Sequence, residues 1–97
     1  MKPTALLVNT ARGALIDETA LIHALRERQL AAAALDVISH EPPPAGHPII
    51  RAAKELDNLF VTPHNAWSAR EARERLLGEV ADNIIAFFEG KPRNIVI

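Results

Sequence analysis

An arginine, two carboxylates and a histidine stand where this chain passes from apolar runs into polar ones, and together they supply the groups that carbonyl chemistry needs. Arg12 follows the apolar run 5–8 and Asn9-Thr10, and precedes Gly13. A guanidinium there can grip a carboxylate through two parallel hydrogen bonds. His64 follows Thr62-Pro63, and an imidazole can deliver a proton to a carbonyl oxygen or take one from an alcohol. Glu41 could hold such a ring in one tautomer and favour its charged form. Asp36 interrupts an apolar stretch, and a buried carboxylate needs amide donors or a cation to offset the loss of water. Taken singly, three of these have ordinary explanations: a surface arginine in a turn, an exposed or structural histidine, a loop carboxylate before prolines. Asp36 is the least ordinary of the four.

The elements that would position them follow from periodicity. Residues 5–10 form a continuous apolar run ending in Asn9-Thr10, which predicts a strand buried on both faces. The turn Ala11-Arg12-Gly13 comes next. Helical spacing begins at Asp17, the expected N-cap, with Glu18 in the first turn, apolar Leu21, Ala24 and Leu25, and an end near residue 28. Residues 31–38 predict a second strand, although their alanines alone would favour helix. Prolines at 42, 43, 44 and 48 exclude regular structure around them. An amphipathic piece at 49–55 leads to a third strand at 59–61. Ser68-Ala69-Arg70-Glu71 reads as a capping box, opening a helix with its apolar stripe at Leu76, Leu77, Val80, Ile84, Phe87 and Phe88 and its end at Gly90. This alternation predicts an α/β fold with a parallel sheet and right-handed crossovers, whose ligands gather outside the carboxyl ends of the strands. Thr10 to Arg12, Asp36 to Glu41 and His64 all fall there.

Composition narrows the function classes. The chain has 97 residues, 48% apolar and 24% charged, with a formal net charge of −1, the balance of a soluble globular domain. With no run of five like charges, nothing prepays phosphate electrostatics, so no nucleic-acid partner is expected. The first apolar run is far too short for a signal sequence or a membrane span. The absence of cysteine removes disulfides, thiolate catalysis and Cys-based zinc sites, and fits the cytoplasm. His23, His40 and His47 lack ligand spacing, so no metal is expected. The glycines, at 13, 46, 78 and 90, form neither G-x-G-x-x-G nor a P-loop, and no G-x-S-x-G occurs.

Val8-Asn9-Thr10-Ala11-Arg12-Gly13-Ala14-Leu15-Ile16-Asp17-Glu18, then Ala34-Leu35-Asp36-Val37, Glu41-Pro42 and Thr62-Pro63-His64, in this order, resemble the D-isomer-specific 2-hydroxyacid dehydrogenases. The resemblance extends over nearly the whole chain. His64-Asn65-Ala66-Trp67 is similar to the glycerate dehydrogenase and hydroxypyruvate reductase branch. The resemblance implies that Arg12 binds the substrate carboxylate and polarises the 2-oxo group, that His64 is the proton donor in reduction, and that Glu41 is its partner. It further implies that Asp36 contacts the nicotinamide amide, and that Thr10, Ala11, Arg12, His64 and Ala66 line the nicotinamide side of the cofactor site. NAD is the implied cofactor, with NADP possible, and a small 2-oxo or 2-hydroxy acid the implied substrate.

Family members are considerably longer, with the glycine loop and the ribose-binding acid preceding the part resembled here. Residues 1–66 are therefore expected to be the C-terminal half of a Rossmann-like nucleotide-binding domain, and 67–97 a long C-terminal helix and tail running toward a substrate domain. The expectation is an oxidoreductase fragment, inactive alone, that works as a homodimer or with a missing N-terminal half. The alternative is a non-catalytic module that pairs with another chain through its sheet edge and apolar helix stripe.

Overall fold

Three short strands, β1 (Leu6–Asn9), β2 (Ala32–Leu35) and β3 (Leu59–Val61), form a parallel sheet in the order β1-β2-β3 in a computed structural model that describes residues 1–96. Leu6 pairs with Ala32, Val8 with Ala34 and Ala34 with Phe60. Helices α1 (Glu18–Arg26) and α2 (Pro48–Glu55) make the two crossovers, and α3 (Arg70–Phe88) follows the sheet. The chain divides into two compact units, Met1–Asn65 and the residues from Ala66 on.

In the first unit, Ala33, Leu35 and Leu59 point from the sheet into a core completed by Leu21 and Leu25 of α1 and Ile49 and Ala52 of α2. Leu25 and Ile49 are essentially inaccessible, and burying one such side chain stabilises by about 1.5–3 kcal/mol. Ala33 and Leu35 of β2 are buried in that core, so packing overrides the helical preference of its alanines. Asn58, also buried, donates through Nδ2 to the carbonyls of Leu25 (3.3 Å) and Ala31 (3.2 Å), joining the end of α1 to the start of β2.

β1 corrects one expectation. Its residues alternate instead of being buried on both faces: Leu6 and Val8 are 69% and 67% exposed, whereas Leu7 is half-buried and Asn9 buried. An unbroken apolar run requires only that both faces be apolar; in this unit α1 and α2 pack on the same face.

α1 starts as its sequence predicts, with Asp17 Oδ1 accepting from the Ala20 amide at 3.0 Å, but it stops at Arg26. There Arg28 turns left-handed (φ 53°), and the amides of Arg28 and Gln29 bond the carbonyls of Leu25 and Ala24, the paired bonds that close a helix C-terminus. α2 has His47 as N-cap and Pro48 in its first turn, where the missing amide costs nothing.

In the second unit the N-cap is not the expected Ser68. Helical geometry begins only at Arg70, which puts Ala69 at the N-cap with no side-chain capping bond. The turn at Ala66 and Trp67 precedes it, with the Arg73 guanidinium 5.9 Å from the centre of the Trp67 ring. α3 ends as predicted before Gly90, which takes φ 73° while Lys91 and Gly90 amides bond the carbonyls of Ala86 and Phe87. The tail then folds back, Arg93 pairing with Glu79 and Asp82. Among the described residues, no helix is long and apolar enough to cross a membrane.

Candidate active site

The three strands end side by side, joined one to the next by the bonds of the Asp36 amide to the Asn9 carbonyl and of the Thr62 amide to the Leu35 carbonyl. Asn9 closes β1: its Oδ1 accepts from the Ala11 amide at 3.1 Å, and its Nδ2 donates to the Arg12 carbonyl at 2.9 Å. Asparagine directly after an apolar run favours this turn because its side chain mimics a backbone peptide. The turn presents Thr10, Ala11 and Arg12 to solvent. The Arg12 Nη1 donates to the Ala11 carbonyl at 2.7 Å. Gly13 then lies flat against the end of β2, since a Cβ there would sit 2.0 Å from the Ile38 carbonyl.

Asp36 follows β2 and is only 6% exposed. Its amide donates to the Asn9 carbonyl (2.9 Å), and its Oδ1 accepts from the Thr62 hydroxyl (2.5 Å) and the Asn65 amide (3.0 Å). These donors meet the requirement that burial sets for a carboxylate. Farther along the same loop, Glu41 bridges two partners. Its Oε1 accepts from the Ile38 amide at 2.8 Å, and its Oε2 lies 2.6 Å from Nδ1 of His64. The Ile38 amide bond, then the His64 bond, and the positive charges of His64 and Arg12 hold the Glu41 carboxyl below its ordinary value.

With Glu41 ionised, Nδ1 of His64 carries the proton of that bond, which leaves Nε2 as the nitrogen that gains or loses one. His64 itself has φ 53°, and its amide donates back to the Thr62 carbonyl at 3.0 Å. The left-handed conformation costs a side-chain-bearing residue about 1–2 kcal/mol, so surrounding bonds must impose it.

Arg12, Glu41 and His64 line one cavity of about 230 Å³, together with Gly13, Ala14, Val37, Ile38 and Ser39. A second cavity of about 300 Å³, walled largely by Pro42, Pro43, Ile50, Val61 and Pro63, meets the other side of the Glu41–His64 pair. The loop between the cavities and α1 is tied down by Glu18, whose carboxylate accepts from the amide (2.6 Å) and hydroxyl (3.1 Å) of Ser39. Buried His47 places Nε2 3.9 Å from the same carboxylate.

The structure thus brings Arg12, Glu41 and His64 to one cavity and sets Thr10, Ala11 and Asp36 on the neighbouring strand ends. Ala66 belongs to the second unit. Asn9, Gly13, Glu18 and Thr62 organise the site, yet a reading of the sequence gives them no such part; for Asn9 alone, the strand-end asparagine was an available signal. A positive charge, a proton-carrying imidazole and a tuned carboxylate around one cavity can bind a carboxylate and deliver a proton beside it.

Residues 1–66 match the family "D-isomer specific 2-hydroxyacid dehydrogenase, NAD binding domain". The chain is 47% identical over 96 residues to the glycerate dehydrogenase of Methylorubrum extorquens, covering 99% of this chain and 30% of that protein. Among solved structures, an acyclic imino acid reductase in complex with NADPH and D-Arg aligns with a TM-score of 0.73 and 39% identity, over 100% of this chain and 29% of that one. The D-lactate dehydrogenase of Lactobacillus jensenii, solved with NAD+, aligns with a TM-score of 0.68 and 31% identity, over 100% of this chain and 32% of that one. The chain therefore spans about 30% of the length of the glycerate dehydrogenase that it matches.

Proposed function

Because the chain belongs to the D-isomer-specific 2-hydroxyacid dehydrogenases through their NAD-binding domain, we propose that its strand-end cluster forms the catalytic side of an enzyme that reduces a small 2-oxo acid to the 2-hydroxy acid. Hydroxypyruvate, giving glycerate, is the substrate we assign. The observation that carries this reading is the Glu41 carboxylate bridging the Ile38 amide and His64 Nδ1 at the wall of a cavity that Arg12 shares.

Arg12 binds the substrate carboxylate, and its charge stabilises the negative charge that develops on the 2-oxo oxygen. His64 donates the Nε2 proton to that oxygen. Glu41 keeps Nδ1 protonated and stabilises the imidazolium before transfer, then holds the neutral ring in the same orientation while solvent restores the proton. Oxidation of the 2-hydroxy acid runs the same proton path backwards.

The residues suit a nicotinamide: a carboxamide presents N–H donors, and the buried Asp36 carboxylate is an acceptor at the carboxyl end of the sheet. Asp36 would hold that amide, with Thr10, Ala11, Arg12 and His64 around the ring. When bound, the dihydronicotinamide supplies the hydride to the 2-oxo carbon. NAD is the cofactor assigned, with NADP accepted by the same half of the site.

The test is a titration of the isotope-labelled 97-residue chain with hydroxypyruvate and with NADH, followed by NMR. Hydroxypyruvate is expected to shift Arg12, Glu41 and His64 resonances and to fail to do so in Arg12→Ala. NADH is expected to shift Asp36. Hydroxypyruvate-dependent oxidation of NADH or NADPH, if it occurs, is expected to vanish in both Arg12→Ala and His64→Ala. Binding that ignores Arg12, or no binding of either compound, overturns the proposal.

A further inference from the structure

We infer that Thr62 is a positioning residue for this reduction: its hydroxyl ties the His64 turn to the buried Asp36 carboxylate, so that the proton-delivering ring and the cofactor-side carboxylate are held as one piece. The inference rests on the roles proposed above for Asp36 and His64.

Three groups of this one residue reach three different parts of the site. The Thr62 amide donates to the Leu35 carbonyl at 2.9 Å, which extends the β2–β3 ladder one residue past the end of β3. Its hydroxyl donates to Asp36 Oδ1 at 2.5 Å, and its carbonyl accepts from the His64 amide at 3.0 Å. The Asn65 amide reaches the same Asp36 oxygen at 3.0 Å. His64 is thereby bracketed on both sides by bonds to one buried carboxylate, and it is the residue between them that adopts φ 53°. Pro63 has no amide to contribute, so the hydroxyl of Thr62 is the group that can anchor the turn before His64 to Asp36. Burial leaves that carboxylate oxygen dependent on protein donors. Threonine also restricts its own χ1, which fixes where that hydroxyl points.

The test compares the labelled full chain with Thr62→Val, which keeps the side-chain shape, and Thr62→Ser, which keeps the hydroxyl. In Thr62→Val the Asn65 amide is expected to exchange with solvent roughly tenfold faster, as loss of one hydrogen bond from a local opening would give. The Ala33 amide, which bonds the Asn58 carbonyl inside the sheet, is expected to stay as protected as in the parent. As the ring loosens, the Glu41 carboxyl is expected to titrate closer to its ordinary value, yet still below it because the Ile38 amide remains bound. Thr62→Ser is expected to restore both readings.

Unchanged Asn65 exchange and Glu41 titration in Thr62→Val overturn the inference, as does a Thr62→Ser that behaves like valine. Loss of protection at Ala33 in step with Asn65 also overturns it, because Thr62 would then support the unit as a whole. Binding of hydroxypyruvate and NADH by the parent decides the proposed function separately, since neither amide exchange nor the Glu41 titration requires either compound.

Discussion

The carboxylate of Glu41 lies 2.6 Å from Nδ1 of His64 and takes the Ile38 amide with its other oxygen, so one loop residue joins the end of β2 to the end of β3. The bridge depends on Glu41 being ionised. Its carboxyl is held below the ordinary value of 4.5, chiefly by the Ile38 amide and next by His64. Its stabilising contribution is therefore complete above that value and is lost as the pH falls through the lowered one. Thermal melts from neutral to acid pH should show Glu41→Gln less stable than the parent at neutral pH. The two should converge once Glu41 is protonated, and a difference that does not change with pH would contradict this.

Gly13 should tolerate no side chain. A Cβ would lie 2.0 Å from backbone atoms of Ile38, and backbone cannot swing aside as a side chain can. Gly13→Ala is expected to cost about 1–3 kcal/mol through overpacking, read from urea unfolding. It should also disturb Glu41, because the displaced peptide adjoins the amide that Glu41 accepts from. A neutral Gly13→Ala would mean that the close approach is relaxed in solution.

Asn58 should prove costly to truncate. Asn58→Ala removes the Nδ2 donor to the buried Leu25 carbonyl and the part-buried Ala31 carbonyl, an expected loss of about 1–3 kcal/mol in urea unfolding. Asn58→Asp should be no better, since a carboxylate offers acceptors where donors are needed. A variant within experimental error of the parent would show that water replaces the side chain.

Asn9→Ala should loosen the Arg12 turn without dismantling the sheet. Two side-chain bonds to Ala11 and Arg12 disappear, so the Ala11 amide should lose protection while the Ala33 amide keeps it. Hydroxypyruvate should bind more weakly, because the guanidinium no longer starts from a fixed turn. Unaltered Ala11 exchange would remove Asn9 from the site.

Much of this was legible from local pattern. Apolar runs giving way to polar residues located all three strand ends, and Asp17 and Gly90 marked where helices begin and end. What local pattern could not carry is contact between distant residues. Thr62 reaches Asp36 across 26 positions, and Ser39 reaches Glu18 across 21. Nor does an apolar run state which of its faces a helix will cover, as Leu6 and Val8 show. The N-cap of α3 falls at Ala69 and not at Ser68 for a related reason: residue types at the right spacing permit a capping box, but the backbone decides where helical geometry begins.

The main-chain bonds from Asp36 to Asn9 and from Thr62 to Leu35 continue the pairing of the strands into the site itself. Side chains on a strand alternate with a period of two, so a slip of one residue in β2 would turn Leu35 out of the core and carry Asp36 to the opposite face. Folding and the proposed chemistry thus share a single checkpoint: a mispaired sheet loses its core and the proposed proton-delivery geometry in the same error, and the hydrophobic effect proofreads the candidate site.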